Sequence, residues 1–217
     1  MINLRDHEVY IFDCDGVILN SNTLKTSAFE FALKDEDPKL VNRLIEFHKK
    51  NGGISRYEKF NYFFSEICPS KDKDLKIKIA LDAFSKKVSK EMLQVETITG
   101  VISFLERIKE LNKDIYINSG SDEEELRKIF RHRKLDHLFK EIYGSPSNKE
   151  ENLRKIRQNY RSKKKEVFFG DSVSDFEAAE SFKIDFVFIS TASEWKEVNK
   201  NIENKFVDFD EAFEALV

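Results

Sequence analysis

The feature that most constrains this chain lies near its N-terminus, where a short apolar run ends in two closely spaced carboxylates. The run over residues 9–12 predicts a buried strand. Asp13 and Asp15 follow, and the strand period of two places both side chains on one side if the strand continues. Gly16 then releases the backbone from the strand. Because two carboxylates at a strand tip repel each other unless a positive charge lies between them, a divalent cation such as Mg²⁺ is one candidate. Two solvated acids at a strand end are the alternative, and this stretch alone does not decide between them.

Composition limits the class of protein. The 217 residues suffice for one large domain, or for a core domain that carries a smaller one, and twenty phenylalanines predict a large aromatic core. A net charge of -3 gives no general case for nucleic acid or an acidic membrane as partner. The sequence has no long apolar run, and its two cysteines indicate a reducing compartment. We therefore expect a cytoplasmic protein, either a monomer or a homodimer, with no membrane partner.

The segment from Ser21 to about Gln94 has the apolar spacing of helices. Breaks with helix-capping residues divide it into four helical stretches, and the apolar residues of the fourth are Leu75, Ile79, Ala83, Phe84, Val88 and Met92. Consecutive helices with short connections are typical of a small helical bundle.

After residue 97 the pattern changes to alternating strands and helices. The later strands are predicted at residues 115–117, 141–143, 166–169 and 185–189, with a short last strand at 206–207. Alternation of this kind predicts an α/β fold with a three-layer parallel sheet. The helical bundle is then an insertion after the first strand.

Polar side chains follow several of the predicted strands. They are Asp13 and Asp15 after the first strand, Ser119 after the second, and Asp171 and Asp175 after the fourth. The carboxyl ends of parallel strands meet in one crevice, where ligands bind. Lys149, which opens the helix after the third strand, is placed to lean into the same crevice. Carboxylates, a hydroxyl and an ammonium together suit phosphoryl transfer, in which the charge of the moving group must be neutralised.

These groups resemble, in order, the four motifs of the haloacid dehalogenase superfamily in its phosphatase-like branch. The matches are Asp13-Cys14-Asp15-Gly16-Val17, Ser119, Lys149, and Gly170-Asp171 through Asp175. The resemblance covers the whole chain and implies a Rossmann-like core. The helical segment resembles the C1-type four-helix cap of β-phosphoglucomutase-like and phosphoglycolate phosphatase-like members. The implied domains are a core of residues 1–19 and 96–217, and a cap of residues 20–95.

The resemblance implies a role for each matched residue. Asp13 would be the nucleophile and a metal ligand, and Asp15 the general acid/base whose backbone carbonyl also contacts the metal. Asp171 would be a further ligand, and Asp175 would support the metal directly or through water. Ser119, Gly120 and Lys149 would hold the phosphoryl group. The implied cofactor is Mg²⁺, and the implied partner is a small phosphorylated metabolite.

Arg56 is the candidate for substrate selection. It lies in Gly52–Glu58, which resembles the Gly-Val-Ser-Arg stretch in the cap of β-phosphoglucomutase-like members, where the arginine meets the far end of the substrate. The alternative is a helix-capping box with an exposed arginine. Lys25 stands where sugar phosphomutases typically carry a histidine, and this difference argues against a mutase function.

The expected function is that of a Mg²⁺-dependent phosphatase acting on a small organic phosphate monoester through an aspartyl-phosphate, with sugar phosphates favoured weakly. One alternative is a β-phosphoglucomutase-like mutase, and another is a non-catalytic protein that binds phosphorylated metabolites. Asp15 argues against carbon–halogen cleavage, because that chemistry needs no acid at this position.

Overall fold

A six-stranded sheet forms the centre of the computed structural model, which describes residues 2–160, 162–196 and 202–216. Its strands are β1 (Val9–Phe12), β2 (Asp114–Asp122), β3 (Glu141–Ser145), β4 (Glu166–Gly170), β5 (Asp185–Ile189) and β6 (Lys205–Phe206). They lie in the order β3-β2-β1-β4-β5-β6, and the described neighbours all pair in parallel. The predicted α/β fold with a Rossmann-like parallel sheet is confirmed.

The first strand lies in the middle of the sheet because its residues are apolar on both faces. All four residues of β1 are buried, as expected for a parallel strand covered on both sides. Val9 pairs with Asp114 of β2 on one side and with Glu166 of β4 on the other. This register places Asp13 at the centre of the carboxyl edge of the sheet.

Helices cover both faces of the sheet. Of these helices, α5 (Val101–Glu110) directly precedes β2 in the chain. The helices that follow β2 are α6 (Glu123–His132), α7 (Lys149–Gln158), α8 (Val173–Phe182) and α9 (Phe209–Phe213). Phe104 of α5 and Phe130 of α6 belong to the core on one face. Leu153 of α7 and Ala178 of α8 belong to the core on the other. No helix in the described part of the chain has the length and apolar character that a membrane crossing requires.

The helical insertion, residues 20–95, lies between β1 and β2. It contains α1 (Asn22–Ala32), α2 (Pro38–Lys50), α3 (Arg56–Tyr62) and α4 (Lys73–Glu91), and α3 runs directly into a π-helical turn, Phe63–Ile67. The Phe29 ring packs on the rings of Phe60 and Phe84, with centroids 5.2 and 4.7 Å away. The division of the chain into a core and a cap domain at these boundaries stays a prediction.

The predicted apolar set of the fourth helix is confirmed for Phe84, Val88 and Met92, which are buried, and wrong for Leu75 and Ile79. Leu75 and Ile79 of α4 are 60 % and 58 % exposed, whereas Ala80, Phe84 and Val88 form the buried row of the same helix. The two rows lie side by side on the helix, each with a spacing of four residues. The apolar pattern alone admits either row, and only the packing against the neighbouring helices selects one.

Phe169 generates a test of the core. Its ring stacks on Phe12 with centroids 4.6 Å apart and meets the rings of Phe104 and Phe209 at 5.5 and 5.8 Å. We expect Phe169→Ala to lower the free energy of unfolding by about 3–5 kcal/mol, because it leaves a cavity in a close-packed region. Urea denaturation measures the change. The control Phe31→Ala, at a side chain that is 44 % exposed, should cost less than about 1 kcal/mol, and equal losses for both would contradict the expectation.

Candidate active site

Asp13 lies where β1 ends. Its N–H donates to the carbonyl of Phe169 at 2.9 Å, so the ladder between β1 and β4 holds the backbone of this residue. Its Oδ1 accepts a hydrogen bond from the Cys14 N–H at 2.7 Å, and its Oδ2 lies 3.2 Å from the Lys149 Nζ. The residue is only 2 % exposed. One carboxylate oxygen is therefore fixed by the backbone, and the other faces an ammonium.

Three buried carboxylates meet at this edge of the sheet. Oxygens of Asp13, Asp171 and Asp175 all lie within 4.8 Å of one another, and we call these three residues the acidic cluster. Lys149 forms ion pairs with Asp13 and Asp175. One ammonium cannot balance three carboxylates, and oxygen donors in a buried cluster are the ligands that a hard divalent cation prefers. The residues present fit such a cation.

The pKa values in the acidic cluster show the same imbalance of charge. Burial raises the pKa of Asp13 to about 7, with Lys149 acting against this rise. Burial and the neighbouring Asp175 and Asp13 raise the pKa of Asp171 well above its usual value. Burial lowers the pKa of Lys149, but the aspartates raise it further, so that the ammonium keeps its proton. An added cation would favour the ionised form of each of these carboxylates.

Asp175 has a structural position within the acidic cluster. Its Oδ2 accepts hydrogen bonds from the Ser172 hydroxyl at 2.5 Å and from the N–H groups of Asp171 and Ser172 at 3.3 and 3.1 Å. Its other oxygen pairs with Lys149. Asp175 thus shapes the turn that carries Asp171 and holds the lysine, and its predicted contact with a metal stays a prediction.

Asp15 lies outside the acidic cluster and has its own partners. Its Oδ1 accepts from the Ser21 hydroxyl and its Oδ2 from the Ser121 hydroxyl, both at 2.5 Å. The Lys25 Nζ lies 3.5 Å from its Oδ2. Burial raises the pKa of Asp15, but Lys25 and the two hydroxyl groups lower it more, so that its pKa lies below the usual value. The two acids of the first motif therefore sit in different environments, and the predicted metal contact of Asp15 through its backbone carbonyl stays a prediction.

Ser119 and Gly120 follow in β2, which runs further than the strand predicted at residues 115–117. Ser119 is buried, and its hydroxyl accepts from the Ser121 N–H at 3.2 Å. A Cβ on Gly120 would lie 2.1 Å from the carbonyl oxygen of Gly53 in the helical insertion. Gly120 is therefore a point of close approach between the insertion and the sheet, and its predicted phosphate contact, like that of Ser119, stays a prediction.

The turn between α2 and α3 lies against Ser174 and Lys149, next to the acidic cluster. The Ser174 hydroxyl donates to the Gly52 carbonyl at 2.8 Å. Gly53 has a φ of +76°, and a Cβ there would lie 2.7 Å from the Lys149 Nζ. Only glycine combines this backbone conformation with so close an approach. The helical insertion is thus seated on the core in this structure.

A pocket with about 720 Å³ of empty space, including its open mouth, lies between the helical insertion and the core. Of the predicted site residues, Asp13, Asp15, Ser119, Gly120, Asp171 and Arg56 line it. Lys149 reaches the site through its contact with Asp13. Sequence positions up to 158 residues apart are thereby brought to one place, and the volume suits a small metabolite.

Arg56 is buried rather than exposed, so the exposed arginine of the alternative interpretation is wrong. Its Nη1 and Nη2 donate to the two oxygens of Glu125 at 2.6 and 2.9 Å. Ser55 caps the helix as predicted, accepting from the Glu58 N–H at 3.3 Å. Arg56 lines the pocket, but most of its hydrogen-bonding capacity is directed to the core, and its role in substrate selection stays a prediction.

Several polar residues of the site could not be found from the sequence. The Asn22 Nδ2 donates to the Asp171 Oδ2 at 2.8 Å across 149 positions, and Ser21 and Ser121 bind Asp15. Their spacing follows no motif, since Ser21 and Asn22 lie at the start of α1 and Ser121 near the end of β2. Only the topology that joins these ends reveals their partners.

An acidic cluster beside a lysine and a serine, at the carboxyl edge of a parallel sheet and under a helical insertion, defines a site for phosphoryl chemistry. The family of haloacid dehalogenase-like hydrolases matches residues 10–189. The chain belongs to this family, as its motifs predicted. No curated relative matches the chain in sequence.

Solved structures agree on the fold. A predicted phosphoglycolate phosphatase from Haemophilus somnus has a TM-score of 0.75 at 18 % identity, over 97 % of this chain and 98 % of that one. A predicted phosphatase from Clostridium acetobutylicum gives 0.74 at 18 %, over 96 % and 97 %. A mutant of CbbY from Rhodobacter sphaeroides, in complex with xylulose-(1,5)-bisphosphate, gives 0.73 at 14 %, over 94 % and 96 %. At these identities the similarity shows the fold alone.

The raised pKa values of the acidic cluster predict that binding of a divalent cation releases protons. At pH 7 Asp13, with a pKa of about 7, holds a proton part of the time, and a cation requires the ionised form. We expect the affinity for Mg²⁺ to rise between pH 6 and pH 8. Calorimetry in buffers of different ionisation enthalpy measures both the affinity and the proton release. Asp171→Asn should weaken binding, and a pH-independent affinity without proton release would contradict the assignment.

Proposed function

We propose that the protein is a Mg²⁺-dependent phosphatase, which hydrolyses a small organic phosphate monoester through an aspartyl-phosphate on Asp13. The observation that carries the proposal is the Asp13 carboxylate itself, which lines the pocket, faces Lys149 at 3.2 Å and shares a buried cluster with two further acids. Sugar phosphates are favoured weakly as substrates. The cytoplasmic location and the choice between monomer and homodimer stay predictions.

The proposed first step is attack by a carboxylate oxygen of Asp13 on phosphorus. The Cys14 N–H at 2.7 Å holds the other oxygen and orients the carboxylate. Lys149 and Ser119 would bind the oxygens of the transferring phosphoryl group. Asp13 and Asp171 would hold Mg²⁺, which when bound would neutralise charge on that group. The seated helical insertion would keep bulk water out during the transfer.

Asp15 would handle the protons. Asp15 lies two positions along the chain from the nucleophile Asp13. The hydroxyl groups of Ser21 and Ser121 hold its carboxylate in place. The ionised form suits the second step, in which it takes a proton from the water that attacks the aspartyl-phosphate. For the first step it must carry a proton to the leaving oxygen. The approach of a phosphate dianion favours this protonation, because nearby negative charge raises the pKa of a carboxyl group.

Lys25 favours the phosphatase over the mutase alternative. Its Nζ donates to the Ser121 hydroxyl at 2.8 Å and lies near Asp15, at a position where the resembling mutases typically carry a histidine. The non-catalytic alternative does not explain why three carboxylates are buried together in the acidic cluster. The phosphatases among the structural neighbours, and the one bound to a bisphosphate, support a phosphorylated metabolite as substrate.

Replacement of the nucleophile tests the proposal. We expect Asp13→Asn to reduce phosphate release from a generic aryl phosphate by about a thousand-fold or more, since the amide cannot form the covalent intermediate. Removal of divalent cations with a chelator should have the same effect, and added Mg²⁺ should reverse it. The control Asp82→Asn changes the charge in the same way at an exposed position of α4 and should keep full activity. Full activity in the Asp13→Asn protein would refute the mechanism.

Lys25 generates a prediction about pH dependence. Because its ammonium lowers the pKa of Asp15, Lys25→Met should raise that pKa, so that the base form is lost at a higher pH. The acid limb of the kcat profile for aryl phosphate should therefore move to higher pH, while Lys50→Met at the pocket mouth should leave it in place. An unchanged or lower acid limb in Lys25→Met would show that Asp15 is not the group that titrates.

A further inference from the structure

The side of the pocket formed by the helical insertion carries positive charge that the proposed chemistry does not use. Lys49 and Lys50 line its mouth, and Arg56 and Lys59 line its interior. Attack, leaving-group protonation and cation binding all take place on the core side, around Asp13 and Asp15. The interior cations therefore need a separate explanation.

Lys59 is the most unusual of them. It lies on α3, is 2 % exposed, and no ion pair joins its Nζ to a carboxylate in the described part of the chain. Its Nζ instead lies 2.8 Å from the His48 Nδ1 and 5.7 Å from the centroid of the Phe29 ring. Burial lowers the pKa of this lysine to about 7, with the more distant Asp15 and Glu194 acting against the fall. A buried ammonium without an anion is destabilised, so an anionic ligand would be favourable here.

His48 positions this ammonium. Burial is the main cause that lowers the pKa of His48 to about 2, followed by the charge of Lys59, so the ring is neutral. Its Nδ1 then accepts from Lys59, and its Nε2 lies 3.2 Å from the Thr26 hydroxyl, to which it donates. The hydrogen bond to His48, which Thr26 in turn holds in place, occupies one of the three N–H donors of Lys59. The other donors are left for a ligand.

A second donor without a partner lies one turn away. The Arg56 Nε is buried and has no hydrogen-bond partner in the described part of the chain, whereas its two Nη atoms are bound by Glu125. The guanidinium carbon lies 5.4 Å from the centroid of Phe84, which packs at 4.7 Å on Phe29, the ring under Lys59. Arg56 and Lys59, three residues apart on α3, thus sit over adjacent rings in the same pocket.

We propose that Lys59, positioned by His48 and assisted by the Arg56 Nε–H, binds a second anionic group of the substrate, a carboxylate or a phosphate. This inference rests on the proposed function and narrows it to phosphate monoesters with a negative charge at the far end. The charge of Arg56 is already matched by Glu125, so that Lys59 supplies the uncompensated charge. A hydroxyl group at the far end would satisfy the N–H donors but would leave the ammonium unbalanced.

The test compares substrates that differ only at the far end. Phosphomonoesters of two to four carbons carry a terminal carboxylate, its primary carboxamide, or a second phosphate, and phosphate release gives kcat/KM for each. We expect the wild-type protein to prefer the better anionic ester over the amide by at least about ten-fold, equivalent to ~1.4 kcal/mol. Lys59→Met should bring the ratio near one. Lys78→Met, an equal loss of charge at an exposed position of α4 outside the pocket lining, should change the ratio by less than about two-fold because solvent screens it.

A second variant guards against loss of folding. Lys59→Gln can still donate to the His48 Nδ1 but carries no charge, and it should lose the preference as Lys59→Met does. Thermal unfolding monitored by circular dichroism verifies that each variant is folded. The arm with the larger ratio, carboxylate or bisphosphate, identifies the anion.

The outcomes separate this inference from the proposed function. If the wild-type protein hydrolyses aryl phosphate but treats acid, bisphosphate and amide alike at every chain length, the subsite is refuted and the phosphatase stands. If it releases phosphate from no ester, the phosphatase fails, and calorimetric binding of the acid and amide esters to the wild-type and Lys59→Met proteins decides the subsite. Tighter binding of the acid, lost in Lys59→Met, would support the subsite, and equal binding would overturn it.

Discussion

The repulsion among three buried carboxylates at the carboxyl edge of the sheet is the constraint on which the site depends. Asp13 and Asp171 follow two adjacent strands, Asp175 lies in the first turn of α8, and packing keeps water from screening all three. Lys149 and the N–H groups of the turn after β4 balance part of this charge. Burial and the remaining repulsion raise the pKa of Asp13 and Asp171, and these residues fit a divalent cation.

The helical insertion adds the opposite charge. Its Gly52-Gly53 turn touches the core beside Lys149, while the interior of the same unit offers Arg56 and Lys59. The pocket is therefore acidic on the side of the core and basic on the side of the helical insertion. The proposed substrate is negatively charged at both ends: Lys149 and a bound cation would offset the charge of the reacting phosphate, and Lys59 that of the other end. Because Gly52 and Gly53 pack against the core, access to the acidic cluster depends on the position of the helical insertion.

Much of the fold was predictable because single segments carry strong local signals. The apolar run of β1 and the alternation after residue 97 are of this kind, and so is the proline start of α2 at Pro38, where the Asp37 side chain accepts from the Lys39 N–H as an N-cap. The motif residues of the site followed from their places at strand ends. The exposure of Leu75 and Ile79 was not predictable, since adjacent helix rows are both apolar and the choice between them lies in contacts with other helices.

The sequence by itself determined which groups stand at the sheet edge, because the residue after a buried strand is placed by the strand. It also determined the family, since four motifs occur in order along the chain. Only the tertiary structure decided the partners of these groups. Asn22 meets Asp171, Ser121 meets Asp15, and His48 meets Lys59. Each of these contacts joins separate elements, and the interaction of charges and donors depends on distance in space, which spacing along the chain does not measure.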